Sequence, residues 1–350
     1  MGHDPIALWV CPVSNLAGVA RHILDVASVG VPGWRLVVTA PEGPLLDRLR
    51  ELGTPVVVLP VEEGTRAAVA SLRHTIRALR PRIVHSHLAR ADFLATMASV
   101  GTGVTLVSTE HHIPPDRFMF HATLPSAMVM ETAHHVRLRR FSRVIAVSAS
   151  TKRDMLKWWH TATPITVILN GVDRPPVPPT REPGLRLLSL TRLSPEKSVR
   201  TTVRAFAHIA HDHPDATLTI AGTGPEDAHL RHLVTSLGLD DRVAFPGFVD
   251  PVEAMANHDV ILQPSKSDNC SYTLLDAVAA GMGVAASPVG GNVEILPSQC
   301  IADFDGAEAL ARVAVSQGLD TSVRPHLASA VPTVPQMAHA IANEYRKVLT

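Results

Sequence analysis

Short apolar, β-branched runs alternate with longer amphipathic stretches along nearly the whole chain, and no other feature narrows the choice of fold as far. In the first half the runs are IALWVCPV (6–13), WRLVVTA (34–40), PVVVLPV (55–61), IVHSH (83–87), TLVSTEHH (105–112), RVIAVS (143–148) and ITVIL (165–169). They resume as LRLLSLTR (185–192), TLTIAG (217–222), RVAFPG (242–247), VILQPS (260–265) and GVAASPV (283–289). Runs of this length without strict polar alternation suit strands buried on both faces. Between them, PLLDRLREL, KSVRTTVRAFAHIAHDH and AHLRHLVTSLG have helical spacing. Strand–helix alternation of this kind predicts parallel sheets with helices on both faces.

The alternation breaks once, at NGVDRPPVPPTREPG (170–184), where five prolines fall within fifteen residues. Proline fixes φ and removes a donor, so this stretch reads as an extended linker. A chain of 350 residues suits two cores at ~150 residues per domain. The expected organisation is a first Rossmann-like domain over 1–170, a Pro-rich linker over 171–184 and a second Rossmann-like domain over 184–330. A C-terminal helix over 333–350 can pack on either domain, including back on the first. In open α/β sheets, ligands bind beyond the carboxyl ends of the strands. Two doubly wound domains are therefore expected to face a central cleft, with the chemistry just after each strand.

Charge and cysteine usage exclude several classes. Lys plus Arg and Asp plus Glu both total 32, so the chain is not built as an electrostatic trap for nucleic acid. The balance is uneven, with 18 basic against 12 acidic residues in 1–170 and 14 against 20 in 171–350. Mutual attraction of two domains accounts for that, as does a basic first half that meets an anionic partner such as a membrane surface. Cys11, Cys270 and Cys300 are scattered, which argues against a disulfide framework or a cysteine zinc site and fits a reducing cytoplasm. The N-terminus MGHDPIALWVCPV lacks a basic n-region and reads as a first strand. No apolar run approaches the ~18 residues that span a bilayer. A cytoplasmic protein is expected, with peripheral membrane contact left open.

Two stretches of the second half could carry chemistry. Arg192 ends LRLLSLTR, and LSPEKS then brings Lys197 near the start of the next helix. A guanidinium fork, an ammonium and free amides at a helix start can hold a diphosphate, although Arg and Lys at strand ends are common. In PSKSDNCSYTLLDAVAAGMGVAASPVGG (264–291), Asp268 follows the strand and Asp276 lies eight residues on, within the next helix. Asn269, Cys270, Ser271, Tyr272 and Thr273 between them would present backbone amides to phosphate or sugar oxygens, and a carboxylate one turn on can accept both hydroxyls of a ribose. The plainer alternative is an N-capping Asp268 and a solvated Asp276.

These residues resemble glycosyltransferase family 4, of GT-B fold. That family has a GRL-x-x-EKG-like stretch (here TRLSPEKS), an IAGTGPE-like turn, an RVxFxGxV-like strand (here RVAFPGFV) and a PS-x-x-E-x7-E-A-x-A-x-G block, all in this order. PRIVHSH, the strand ending STEHH, RVIAVSAS and the ITVILNGVD junction are also similar, so the likeness covers about 1–296. It implies a retaining transferase that moves a sugar from a nucleotide-sugar, a UDP-sugar being favoured, to a hydroxyl of a glycan, lipid-linked or small-molecule acceptor. Arg192 and Lys197 would contact the donor diphosphate, Asp268 the sugar hydroxyls and Asp276 the ribose. Gly18 would let backbone approach phosphate or sugar, and His111 would touch the sugar, with His112 one residue away as the alternative. No metal or other cofactor is expected. Both acids of the Glu-x7-Glu pattern are Asp here, Ser198 stands where a glycine usually follows the lysine, and NCSYT replaces a glycine-rich stretch. These departures motivate a second reading, a catalytically weak or inactive nucleotide-sugar-binding or scaffold protein. A sugar-nucleotide epimerase is a third.

Several features read as decoys. Asp303-Phe304-Asp305 matches a metal-binding D-x-D but falls past the donor block. His85 and His87 share a strand face as a metal pair might, yet no third ligand is evident, so packing or an acceptor-side role is the expectation. Gly222-Thr223-Gly224 lacks the third glycine of a dinucleotide fingerprint. Trp158 and Trp159 read as packing rather than acceptor stacking. HHVRLRRFSR (134–143) and TRAAVASLRHTIRALRPR (65–82) read as solvated basic faces, with a membrane-surface role as the alternative. The loop IPPDRFMFHATLP (113–125), with Phe118 and Phe120, is expected to line the acceptor pocket.

Overall fold

The computed structural model describes residues 4–111, 113, 132–175, 181–302 and 306–350. They form two compact units, residues 1–171 with 332–350 and residues 172–331.

The first unit is built on seven parallel strands: β1 Ile6–Val10, β2 Arg35–Ala40, β3 Val56–Val58, β4 Ile83–His87, β5 Thr105–Glu110, β6 Arg143–Ala146 and β7 Ile165–Val167. Their order is β3-β2-β1-β4-β5-β6-β7. The period of two along β1 separates two cores. Ala7 and Trp9 face a layer with Ile23, Leu45, Leu46 and Tyr345, whereas Leu8 and Val10 face one with Leu72, Leu94, Met155 and Trp159. The first layer lies under α1 (Gly18–Val29), α2 (Pro44–Glu51) and the C-terminal helix α12 (Val334–Leu349). The second lies under α3 (Thr65–Leu79), α4 (Ala89–Ala98) and α5 (Ala149–Trp159). Helix α12 begins with a reciprocal cap: the Gln336 amide donates to the Thr333 hydroxyl and the Thr333 amide to Gln336 Oε1. Such boxes satisfy two otherwise orphaned donors. From there α12 delivers Met337, Ile341 and Tyr345 into the first core.

The second unit has five parallel strands: β8 Arg186–Leu190, β9 Thr217–Ala221, β10 Val243–Gly247, β11 Val260–Gln263 and β12 Gly283–Ala286, in the order β10-β9-β8-β11-β12. Leu187, Leu218, Ile220, Val260, Leu262 and Ala285 pack against α6 (Val199–Asp212), α7 (Asp227–Ser236) and α11 (Ala307–Leu319). Helices α8 (Pro251–Asn257), α9 (Tyr272–Ala279) and α10 (Asn292–Ile295) complete it. Each sheet reverses its direction of winding once, between β1 and β4 in the first and between β8 and β11 in the second. Loops leaving the strands diverge at such points and open a crevice. Among the described residues, no helix is long and apolar enough to cross a membrane.

Candidate functional site

At the switch point of the second sheet, the loops that follow β8 and β11 are joined. Arg192, two residues past β8, is exposed and paired with Glu196. One 3-10 turn, Pro195–Lys197, follows and is closed by the Lys197 amide donating to the Ser194 carbonyl at 3.0 Å. The Lys197 ammonium crosses to the other loop and donates to Asp268 Oδ2 at 2.8 Å. The same oxygen accepts from Gln263 Nε2 at 2.8 Å, while Oδ1 accepts the Asn269 amide at 3.1 Å. Asp268 is therefore an ion-pair partner. The helix cap of the plainer reading is supplied by Ser271, whose hydroxyl accepts the Leu274 amide at the start of α9.

Main-chain bonds hold the loops in place. The Leu193 amide donates to Thr223 O (2.9 Å), the Glu226 amide to Leu193 O (3.0 Å) and the Lys266 amide to Glu196 O (2.7 Å). Close approach of this kind requires glycine. A Cβ on Gly222 (φ +136°) would run into the Thr191 carbonyl, one on Gly224 into the Leu193 carbonyl, and one on Gly290 (φ +53°) into the Asp268 carbonyl. The Gly222-Thr223-Gly224 turn thus acts as a packing surface for the Arg192 loop. The chain also turns left-handed at Ser198 (φ 51°), an arrangement that costs a non-glycine residue ~1–2 kcal/mol. Its buried hydroxyl has no partner. That dihedral is a physical reason for a glycine after the lysine, and this chain places serine there.

In the stretch between the acids, Asn269, Cys270, Ser271 and Tyr272 are buried and Thr273 is partly so. Ser271 is further engaged with Gln263 at 3.1 Å and 3.2 Å. What this stretch can offer a ligand is main chain at the opening of α9. Asp276 is carried one turn into that helix and is partly exposed.

The switch point of the first sheet has a different chemistry. Gly18 opens α1, is exposed, and an added Cβ there meets no atom within 4 Å. His111 directly follows β5, and its ring stacks on that of His87 at 5.3 Å and meets that of His22 edge-on at 4.9 Å. His87 Nδ1 lies 3.0 Å from His111 Nε2, and His22 Nδ1 lies 3.3 Å from Asn170 Oδ1. His85 belongs to a separate relay. Trp9 Nε1 donates to Tyr345 Oη at 2.7 Å, Tyr345 Oη is hydrogen-bonded to His85 Nδ1 at 2.5 Å, and His85 Nε2 to Thr109 Oγ1 at 2.7 Å. Burial holds His22 down at about 4, and burial with neighbouring imidazoles holds His85, His87 and His111 well below the ordinary value. All four rings are neutral near pH 7. His85 and His87 do share a strand face, with ring centroids 4.6 Å apart. His22 and His111, far apart in sequence, come to His87 and not to His85, because β1, β4 and β5 are neighbours.

The basic stretch 134–143 also departs from a solvated face. Arg137 is buried, pairs with Asp92 and, at 2.7 Å, with Glu110, and lies over the Trp159 ring at 5.1 Å. Burial pushes Glu110 up to about 8. One guanidinium thus ties α4 and the end of β5 to the helical segment 132–138, directly beside His111. Arg143 is paired with Glu344 of α12. Arg139 and Arg140 are exposed as expected. In α3, Ala68, Leu72, Thr75 and Ile76 form the buried face and Arg66, Arg77 and Arg80 are exposed. His112, the loop carrying Phe118 and Phe120, and Asp303-Phe304-Asp305 lie outside the described residues.

Comparison with known proteins agrees with this architecture. Residues 16–174 match Glycosyltransferase Family 4, and residues 175–311 match Glycosyl transferases group 1. Glycogen synthase of Mycobacterium tuberculosis is 28% identical over 310 residues, which span 83% of this chain and 71% of that protein. N-acetyl-alpha-D-glucosaminyl L-malate synthase of Bacillus anthracis is 35% identical over 111 residues, 31% of this chain and 29% of its own length. The crystal structure of Anabaena HepE in complex with UDP-glucose superposes with a TM-score of 0.76 at 21% identity, covering 99% of this chain and 96% of that one. Sucrose-phosphate synthase from Thermosynechococcus elongatus superposes with a TM-score of 0.79 at 17% identity, covering 98% and 99%. Two doubly wound parallel sheets with these neighbours define the GT-B fold, and the matched family domains make the chain a glycosyltransferase of that class. Within that class the chain belongs to the family 4 type, its two family domains following one another without a gap from residue 16 to residue 311.

Proposed function

We propose that this glycosyltransferase transfers a glycosyl group from a nucleotide-sugar, a UDP-sugar in preference, to an acceptor hydroxyl with retention at the anomeric carbon and without a metal at the diphosphate. The observation that carries the proposal is the Lys197–Asp268 pair at the switch point of the second sheet, 2.8 Å apart and still reached by water. Arg192 stands next to it, exposed and held by one partly exposed acid. An arriving diphosphate can exchange Glu196 and Asp268 for its own oxygens on these two cations. Asp268 is then released to accept hydroxyls of the donor sugar, and Asp276 is assigned to the ribose. Main chain of 269–273 supplies amides, and from the first unit Gly18 and His111 are assigned to phosphate and sugar. That solved structures of similar fold contain UDP and UDP-glucose supports the choice of nucleotide.

In the proposed reaction the bond between the anomeric carbon and the diphosphate oxygen breaks, and the acceptor oxygen bonds to that carbon from the same face. The acceptor's proton passes to the departing diphosphate oxygen. Preorganised cations matter most as charge develops on the leaving group, which is the task assigned to Lys197 and Arg192. The shorter acids at 268 and 276 favour one competing reading, a protein that binds the donor and does not turn it over. Calorimetric titration with UDP-, GDP- and ADP-glucose, followed by donor hydrolysis and transfer assays in the presence of EDTA, separates the two. Binding of a UDP-sugar with EDTA-insensitive turnover supports the transferase. Tight binding with no turnover on any acceptor supports the non-catalytic reading, and no binding to any of the three removes both.

A further inference from the structure

Four imidazoles crowd the switch point of the first sheet, and the family 4 assignment uses only one of them. Three nitrogens, one each from His22, His87 and His111, lie within 4.8 Å of one another. The fourth ring, His85, has both nitrogens engaged by Tyr345 and Thr109 and is excluded from the set. His22 and His87 are fully buried, and each has an Nε2 with no partner among the described residues. Their protonation follows from what the other nitrogen meets. His22 Nδ1 faces the Asn170 side-chain oxygen, so it carries the hydrogen and leaves a lone pair on Nε2. His87 Nδ1 donating to His111 Nε2 likewise leaves a lone pair on His87 Nε2, and the reverse arrangement would strand a buried N–H. Orphaned buried donors are the rarer of the two defects.

We propose that His22, His87 and His111 form a binding site for a first-row transition metal of the zinc type, with the fourth position open. Neutral imidazole is a favoured ligand of such ions, and each ligand needs a lone pair where the ion sits. Bonds of about 2.0–2.1 Å in a tetrahedron place ligand nitrogens roughly 3.3 Å apart. Nitrogens within 4.8 Å of one another stand somewhat wider than that, and rotations of the rings, which break the His87 Nδ1 to His111 Nε2 bond, bring them to it. Asn170 supplies the second-shell acceptor that orients a ligating imidazole. His111 is partly exposed and gives the ion its entry. An occupied site would withdraw His111 from the donor sugar, a consequence that rests on the proposed function, whereas the metal site itself does not.

The test uses the full chain, freed of metal with a chelator and titrated with Co2+ while the visible spectrum is followed. One Co2+ per chain with the intense bands of tetrahedral coordination, displaced by Zn2+, is expected. His22→Leu and His22→Gln, each checked for wild-type circular dichroism, should lose those bands and bind at least tenfold more weakly. His211→Ala, on an exposed histidine, should keep them. Weak octahedral spectra in the wild type, or tetrahedral bands that persist in both folded His22 variants, would overturn the site. Zn2+ should also inhibit transfer by the wild type and spare His22→Gln. Metal binding without inhibition keeps the metal site and overturns the assignment of His111 to the sugar.

Discussion

The two sheets solve one topological problem with opposite chemistry. At its switch point the second sheet sets formal charges, Arg192, Glu196, Lys197 and Asp268, on loops that water reaches. The first sheet sets neutral imidazoles, His22, His85 and His87 buried against Trp9 and the partly exposed His111 against His22 and His87. Beside them a buried guanidinium, Arg137, meets Asp92 and Glu110. An exposed ion pair adds little to stability and can be exchanged for a charged ligand at small cost. Buried imidazoles cannot be exchanged so; they resist protonation and offer lone pairs. The difference teaches that the second unit is equipped to meet an anion, while the first is equipped to position neutral polar atoms.

The largest expected effect breaks the charged side. Lys197→Ala should lower kcat about 10²–10³-fold, the usual cost of one preorganised donor to a developing oxyanion. The melting temperature should fall by a few degrees at most, because Asp268 keeps its bonds from Gln263 Nε2 and the Asn269 amide when the ammonium is removed. Near-normal turnover in this variant would remove the diphosphate assignment.

The next effect lies on the neutral side and is read as stability against pH. Unfolded imidazoles titrate near 6.5, whereas burial holds His22 at about 4 and its neighbours well below 6.5. Between those values the unfolded chain binds protons that the folded unit refuses, so stability falls as pH drops from about 6.5 toward 4. At 1.36 kcal/mol per pK unit, His22 alone contributes a loss of about 3 kcal/mol by pH 4. Glu110, pushed up to about 8, has the opposite sign, its loss growing as pH rises from about 4.5 to 8. A His22→Leu variant isolates the imidazole part and should flatten the acid limb. All four tryptophans, Trp9, Trp34, Trp158 and Trp159, belong to the first unit, so denaturation followed by their fluorescence reports this unit alone. An acid limb of unchanged slope would refute the contrast.

A smaller effect sharpens the account of the Lys197 turn. Ser198 holds a left-handed φ with an unpartnered hydroxyl, so Ser198→Gly removes both defects. It should stabilise the second unit by about 1 kcal/mol and leave kcat within about twofold, measured by urea denaturation and transfer assay. Destabilisation would mean that the serine is held by something besides its backbone.

The doubly wound architecture was legible because most strands are buried on both faces and read as continuous apolar runs, the edge strands β3, β7 and β10 being the less buried ones. Strand ends were less so. The runs 6–13, 165–169 and 283–289 overshoot β1, β7 and β12 by two or three residues, since Cys11, Ile168 and Ser287 stay buried and still donate to Thr39, Ala146 and Gln263 of the neighbouring strands. Arg192, Lys197, Asp268 and Asp276 could be named as candidates because one short motif carries each pair, and the structure pairs Lys197 with Asp268. The cluster of His22, His87 and His111 was not, since its members lie on α1, β4 and β5 and only strand order unites them. Arg137 hid in a basic run for the same reason, its two acids coming from α4 and β5.

The smallest effect separates the glycines of the two switch points. Gly222 and Gly290 are compelled by neighbouring carbonyls and by positive φ, so their own loops explain them. Gly18 has neither constraint: an added Cβ meets nothing within 4 Å, and its φ is not positive. It also opens a helix, where alanine is preferred over glycine by up to ~1 kcal/mol. A glycine that local structure does not require points to an approach from outside the chain. Gly18→Ala should therefore leave the melting temperature unchanged or raise it by a degree or two, while donor KM rises severalfold and kcat stays close to the wild type. A KM that does not move, in a protein as stable as the wild type, would show that no ligand comes near that backbone.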